Sequence, residues 1–249
     1  MCSSDLQGGF ELHYQPLVAV NGTALHKAEA LLRWQHSRWG VVAPGVFIPV
    51  AEQSDLIIEI TDWVLHTAAK QVKHWRETLD ATFQISVNIP PAYLNLCVRE
   101  TEEMLRRLQA LKLPKGALVL EITEGAVLEV TEELLCVTDQ LRNLGFELAL
   151  DDFGVGYSNF GQLDKLKLDH LKLDKTFIQA IDERPERCAI CRAVVSMAHE
   201  LGFKVVAEGV ETERQREILS QMGVEYLQGY LWSKPMAAAA FETWATRQT

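Results

Sequence analysis

The sequence predicts an α/β barrel of TIM-like (β/α)8 type whose first strand runs antiparallel to the second. Three observations carry that reading: eight short apolar strand patterns, longer amphipathic helix patterns between them, and a four-residue connection between the first two strands. The strand patterns fall at 12–20, 25–33, 83–88, 117–122, 147–151, 170–173, 204–207 and 226–228. Helical periodicity covers 58–75, 92–111, 131–143, 185–201 and 213–222, and Gly145, Gly202 and Gly223 stand where helices end. Residues 21–24 are too few for a parallel crossover, which needs a dozen or more residues, so the first pair is antiparallel. A doubly wound open sheet is the alternative architecture.

Length and composition agree with one large domain. The chain has 249 residues, 48% of them hydrophobic, enough for a sizeable core, and barrels of this kind reach about 250 residues as one unit. A first unit of 1–9, an extension or linker, precedes a domain spanning 10–249. The 24 Lys and Arg against 34 Asp and Glu leave a net charge of −10, which argues against a surface that tracks the phosphates of duplex nucleic acid. Carboxylates that hold metal ions can still hold a phosphate substrate. No run approaches the roughly 18–20 apolar residues of a membrane helix, so no membrane contact is expected from this segment. Five cysteines without a zinc-like second pair suit a reducing compartment, and a cytoplasmic location is expected.

Polar residues at the strand ends carry the chemistry. Glu29, Asn88, Glu121, Asp151, Lys172, Glu208 and Gln228 each lie at or near the end of an apolar strand. In a barrel those ends converge on one mouth, where catalytic groups collect. Ionised carboxylates gathered there repel one another unless a cation joins them. All-oxygen ligation by Glu29, Asn88, Glu121 and Asp151 suits a hard ion such as Mg2+ or Mn2+, and no histidine or cysteine sits at a matching strand end. Asp151 and Asp152 adjoin a Gly-rich loop and can straddle two ions. Arg33 and Arg38, flanked by Trp34 and Trp39, form either a base-stacking, phosphate-holding rim or a packed barrel edge.

These residues form an ordered series: Y-Q-P at 14–16, E-A-L-L-R-W from Glu29, F-I-P-V-A-E at 47–52, V-N at 87–88, E-I-T-E at 121–124, D-D-F-G at 151–154, K-L-D at 172–174, A-E-G-V-E at 207–211 and Q-G-Y-L-W-S-K-P at 228–235. The chain thereby resembles the EAL domain family, the bacterial cyclic di-GMP phosphodiesterases. The resemblance implies metal-dependent hydrolysis of cyclic di-GMP to linear pGpG. By motif position, Glu29, Asn88, Glu121 and Asp151 would hold one ion. Asp151, Asp152 and Glu208 would hold the second, and Lys172 would orient the attacking water. Whether Glu208 is a metal ligand or a general base stays open at this level. Gln15, Leu31 and Arg33 would contact substrate, Asp62 a guanine edge, and Glu124, Glu211 and Gln228 would support the loop and the ligands. The cofactor would be two Mg2+ or Mn2+ ions, with Ca2+ inhibitory. A homodimer through the helices beside loop 152–159 and a covalently linked sensory or GGDEF domain would also follow. Val155, Asn159 and Lys167 depart from the usual family residues, which bears on loop regulation more than on chemistry. A silent cyclic di-GMP receptor, a protein-contact scaffold and an enolase-type barrel enzyme with Lys172 as base are the competing readings.

Overall fold

The computed structural model describes residues 9–20, 25–54, 56–127, 130–154, 163 and 165–247. The strands are β1 (Phe10–Ala19), β2 (Lys27–His36), β3 (Gly40–Val42), β4 (Gln84–Ile89), β5 (Leu118–Thr123), β6 (Glu147–Phe153), β7 (His170–Leu173), β8 (Lys204–Ala207), β9 (Tyr226–Leu227) and β10 (Met236–Ala237). The sheet runs β10-β1-β9-β8-β7-β6-β5-β4-β2-β3, and β1 also pairs with β2. That extra pairing closes β1, β2 and β4–β9 into an eight-stranded barrel, with β3 and β10 as additional edge strands. The predicted reversal is present: β1 is antiparallel to β2, from Phe10↔Trp34 to Leu17↔Lys27, and to β9. The remaining neighbours around the barrel are parallel. The connection at 21–24 lies outside the described residues.

Period-2 alternation divides each strand between two environments. Outward residues meet the helices and form the main core, in which Trp75 is fully buried, stacked on Phe241 at 4.5 Å and edge-on to Tyr14 and Phe83. Burying side chains of this size contributes roughly 1.5–3 kcal/mol each, which makes this annulus the main source of stability. Inward residues are unusually polar. Among the described residues they form a small apolar cluster of Leu17, Val206 and Tyr226.

The helices are α1 (Pro44–Glu52), α2 (Leu56–Thr78), α3 (Pro91–Arg99), α4 (Thr101–Ala110), α5 (Glu132–Asn143), α6 (Lys175–Ile178), α7 (Pro185–Glu200), α8 (Glu213–Met222) and α9 (Ala238–Ala245). Local signals set their ends: Thr131 accepts from Leu134 N–H, Thr212 and Gln215 form a capping box, and Gly145, Gly202 and Gly223 take φ of 93°, 80° and 87° just past helix ends. The single helix expected over 92–111 is two, broken at Glu100, whose φ of −123° and ψ of 44° are not helical. No described helix is long and apolar enough to cross a membrane.

Candidate active site

Two polar layers fill the barrel interior. The lower one joins Lys27, Gln84, Glu147 and His170: His170 Nε2 is 2.8 Å from Glu147 Oε2 and 3.3 Å from Lys27 Nζ, and Gln84 Nε2 donates to Glu147 at 2.9 Å. Lys27 Nζ also lies 4.3 Å from the centre of the Tyr226 ring, a cation–π contact.

The upper layer stands two to four residues further along the same strands and contains the predicted set. Lys172 is 1% exposed. Its ammonium is 2.7 Å from Glu208 Oε1, 2.9 Å from Glu121 Oε2, 3.0 Å from Asp151 Oδ1 and 3.8 Å from Glu29 Oε1. Asn88 Nδ2 donates to Glu29 Oε1 at 3.0 Å, and Gln228 Nε2 donates to Glu29 Oε2 at 2.6 Å and to Gln15 Oε1 at 3.0 Å. Gln15 in turn donates to the Ser233 carbonyl. One connected network therefore holds Gln15, Glu29, Asn88, Glu121, Asp151, Lys172, Glu208 and Gln228.

The charges in this network are unbalanced. Burial works to deprotonate Lys172, but Glu121, Glu208, Glu29 and Asp151 outweigh it and hold its pKa well above that of an ordinary lysine. Burial pushes Glu121 well above the usual carboxylate range; Lys172 pulls it back, while Glu29 and Asp151 push it further up. Burial, opposed by Lys172 and reinforced by Glu29 and Asp151, sets Glu208 at about 7. Four carboxylates about one ammonium cannot all ionise without further positive charge.

Among the described residues, no three His, Cys, Asp or Glu side chains form a ready-made metal cage, since the carboxylates converge on Lys172 instead. The donor set nevertheless suits a hard divalent ion. It offers several carboxylates and an amide, carries excess negative charge, and includes Glu121 Oε1, a buried oxygen without a hydrogen-bond partner.

Asp152 follows a break in the strand. The β6–β7 register shifts between Leu150 and Phe153, and Asp152 takes a left-handed φ of 54°. Its backbone N–H bonds Asp151 Oδ1, and burial together with Asp151 and Asp174 raises its pKa. Glu124 accepts from Gly154 N–H at 2.9 Å and so braces the start of the loop. Val155 and Asn159 lie outside the described residues.

A cavity of about 290 Å3 adjoins the network and is lined by Leu31, Arg33, Glu52, Thr61, Asn88 and Pro90 among others. Leu31 and Arg33 line this cavity, and Arg33 also donates to the Leu32 carbonyl. Two predicted residues stand apart. Asp62, on α2, accepts from Tyr93 Oη at 2.7 Å and from Arg107 at 2.9 Å. Glu211 is exposed, and the bond at its position is from its backbone N–H to Gln215.

Of the rim pair, Trp34 follows the packing alternative, whereas Trp39 is 65% exposed. Trp34 is 4% exposed and packs with Phe10, Phe47 and His36, and Trp39 stacks on His36 at 4.2 Å. Alternation on β2 turns Trp34 to the face opposite Arg33. Sequence reasoning passed over Glu52 and Asp174, both inside quoted motifs. The i, i+2 spacing of Lys172 and Asp174, just past the end of β7, was the available signal for Asp174.

A barrel with an acidic, lysine-centred network at the C-terminal mouth of its parallel strands defines the class of α/β-barrel enzymes whose chemistry sits at that face. The EAL domain model matches residues 3–235. The Pseudomonas aeruginosa bifunctional diguanylate cyclase/cyclic di-GMP phosphodiesterase MucR is 37% identical over 230 residues, which is 91% of this chain and 33% of MucR. The Escherichia coli cyclic di-GMP phosphodiesterase PdeR is 36% identical over 236 residues, 95% of this chain and 35% of PdeR. A solved structure described as the PaMucR phosphodiesterase, c-di-GMP complex, is 36% identical and superposes with a TM-score of 0.85 over 95% of both chains. The chain belongs to the EAL domain family. It spans about a third of the length of these curated relatives.

Proposed function

We propose that this chain hydrolyses one phosphodiester of cyclic di-GMP to give linear pGpG. The observation that carries the reading is the buried Lys172 ammonium held by Glu208, Glu121 and Asp151 at 2.7–3.0 Å at the barrel mouth. The names of the similar MucR and PdeR proteins support the substrate.

Glu29, Asn88, Glu121 and Asp151 would hold one Mg2+ or Mn2+, and Asp151, Asp152 and Glu208 a second. When bound, such ions supply charge stabilisation at the phosphate and a water of lowered pKa. The protein's own contribution is positioning and proton handling. Lys172 stays protonated and donates a hydrogen bond that orients the attacking water. Glu208, 2.7 Å from Lys172, either completes the second ion's ligands or accepts that water's proton. No Ser or Cys nucleophile stands in the described network, so direct attack by water fits better than a covalent route. Arg33 would hold a phosphate and the apolar walls of the adjoining cavity a base. Asp62 neighbours Thr61 of that cavity wall, and would meet a guanine edge only by releasing Tyr93 or Arg107. Gln15 and Gln228 keep Glu29 oriented, Glu124 holds the loop, and Glu211 acts from outside the network.

The wider reading is that residues 10–249 form the catalytic domain of a longer cytoplasmic signalling protein, with residues 1–9 an extension or linker and a sensory or GGDEF module covalently linked. It acts as a homodimer through the helices beside loop 152–159. Incubation of the purified chain with cyclic di-GMP and Mg2+ or Mn2+, with the products resolved by chromatography, tests the activity.

A further inference from the structure

One turn of helix packs beside the segments that carry Lys172, Glu208 and Asp152. Helix α6 begins three residues after Lys172, and Asp174 just before it caps it by accepting from Thr176 N–H at 2.9 Å. Its first residue, Lys175, lies against Gly209, which follows Glu208; a Cβ on Gly209 would fall 2.5 Å from Lys175 Cβ. Its third residue, Phe177, sets the edge of its ring against Gly154, two residues after Asp152. A Cβ there would fall 2.2 Å from Phe177 Cε2 and 2.3 Å from Cζ. Gly154 also has φ of 92° and donates its N–H to Glu124. Its peptide is thus clamped between a carboxylate and an aromatic ring.

That clamp bears on Asp152. The residue's φ of 54° is costly for a side chain other than glycine, about 1–3 kcal/mol, and persists only where the surroundings impose it. Two contacts fix the backbone two residues further on: the Glu124 bond and the Phe177 ring edge, both at Gly154.

We infer that Phe177 is a positioning residue, which holds the Asp152 side of the candidate two-ion site in register with Glu208 through Gly154. The inference rests on the reading of the site under Proposed function. Phe177 touches neither substrate nor ion; it acts through the backbone. Supporting groups that orient metal ligands typically contribute 10–100-fold in metal affinity.

The test is a Mn2+ titration followed by electron paramagnetic resonance, with the melting temperature recorded beside it, on the wild type, F177A, the milder F177L, and G154A, which drives a methyl into the ring from the other side. In folded F177A and G154A the weaker Mn2+ site should lose about tenfold or more in affinity while the tighter site is unchanged, with F177L intermediate. kcat should fall in the same order, with KM for cyclic di-GMP within about threefold. If F177A does not fold, F177L and G154A carry the same test. Folded variants that bind two Mn2+ ions as the wild type does would overturn the inference. A wild type that binds no Mn2+ and turns over no cyclic di-GMP would instead overturn the functional reading beneath it.

Discussion

Lys172 Nζ and Glu208 Oε1 lie 2.7 Å apart across neighbouring parallel strands, and the register explains why. Lys172 is opposite Val206, so Glu208 stands one inward step beyond it, at the end of β8. The pair joins the group that stays charged to the group held near 7.

Removing either member should abolish turnover without abolishing binding. Both act on the attacking water, and losing such a group costs about 3–5 kcal/mol, or roughly two to four decades in kcat. Lys172→Ala and Glu208→Gln should bind cyclic di-GMP in calorimetric titration with metal present, while retaining less than about a tenth of wild-type kcat.

Arg33 should behave differently. A phosphate contact present in both ground and transition states contributes uniform binding, so Arg33→Ala should raise KM by about 10–100-fold and leave kcat within a few-fold. Steady-state kinetics separate the two cases. A fall in kcat at unchanged KM would remove Arg33 from the binding role.

Much of this site was legible because strand alternation leaves little choice. Given eight strands and a reversed first hairpin, Glu29, Asn88, Glu121, Asp151 and Lys172 fall on inward positions, and the network follows. Side chains on helices were less legible. Asp62 lies on α2, where a single rotation decides between the cavity and the Tyr93 and Arg107 partners it has. Helix α1 falls outside the helical periodicity of the sequence: Pro44 opens it and Pro49 is carried within it. Trp34 looked like a stacking platform until its strand face was fixed. Phe177 carries no polar signal, and its contact with Gly154 depends on tertiary packing.

The divalent ion should be replaceable but not interchangeable. Ca2+ accepts the same oxygens with longer bonds and looser coordination, which moves the reacting groups out of line. Adding Ca2+ at fixed Mg2+ or Mn2+ should inhibit in a manner relieved by excess Mg2+ or Mn2+. Full turnover with Ca2+ as the sole metal would contradict the assignment.

The lower layer should set the pH range of stability. Burial alone would raise the Glu147 pKa, but the His170 hydrogen bond and the Lys27 charge bring it down to about 2. A carboxylate depressed on folding stabilises fully above its ordinary pKa of 4.5, and that stabilisation is lost as pH falls towards 2. Burial lowers Lys27 to about 8, so the folded chain binds this proton less tightly than the unfolded one. That cost is complete below 8 and fades between 8 and 10.5. Urea midpoints measured from pH 2.5 to 10 should therefore fall at the acid end, and Glu147→Gln should flatten that limb. An unchanged acid limb would remove Glu147 as its cause.

The most direct test of the account is the product assay. Purified chain incubated with cyclic di-GMP and Mg2+ or Mn2+ should yield linear pGpG, resolved by chromatography, with none formed in a chelator. Tight cyclic di-GMP binding with no pGpG at any Mg2+ or Mn2+ concentration would contradict the hydrolytic reading and make this EAL domain a receptor.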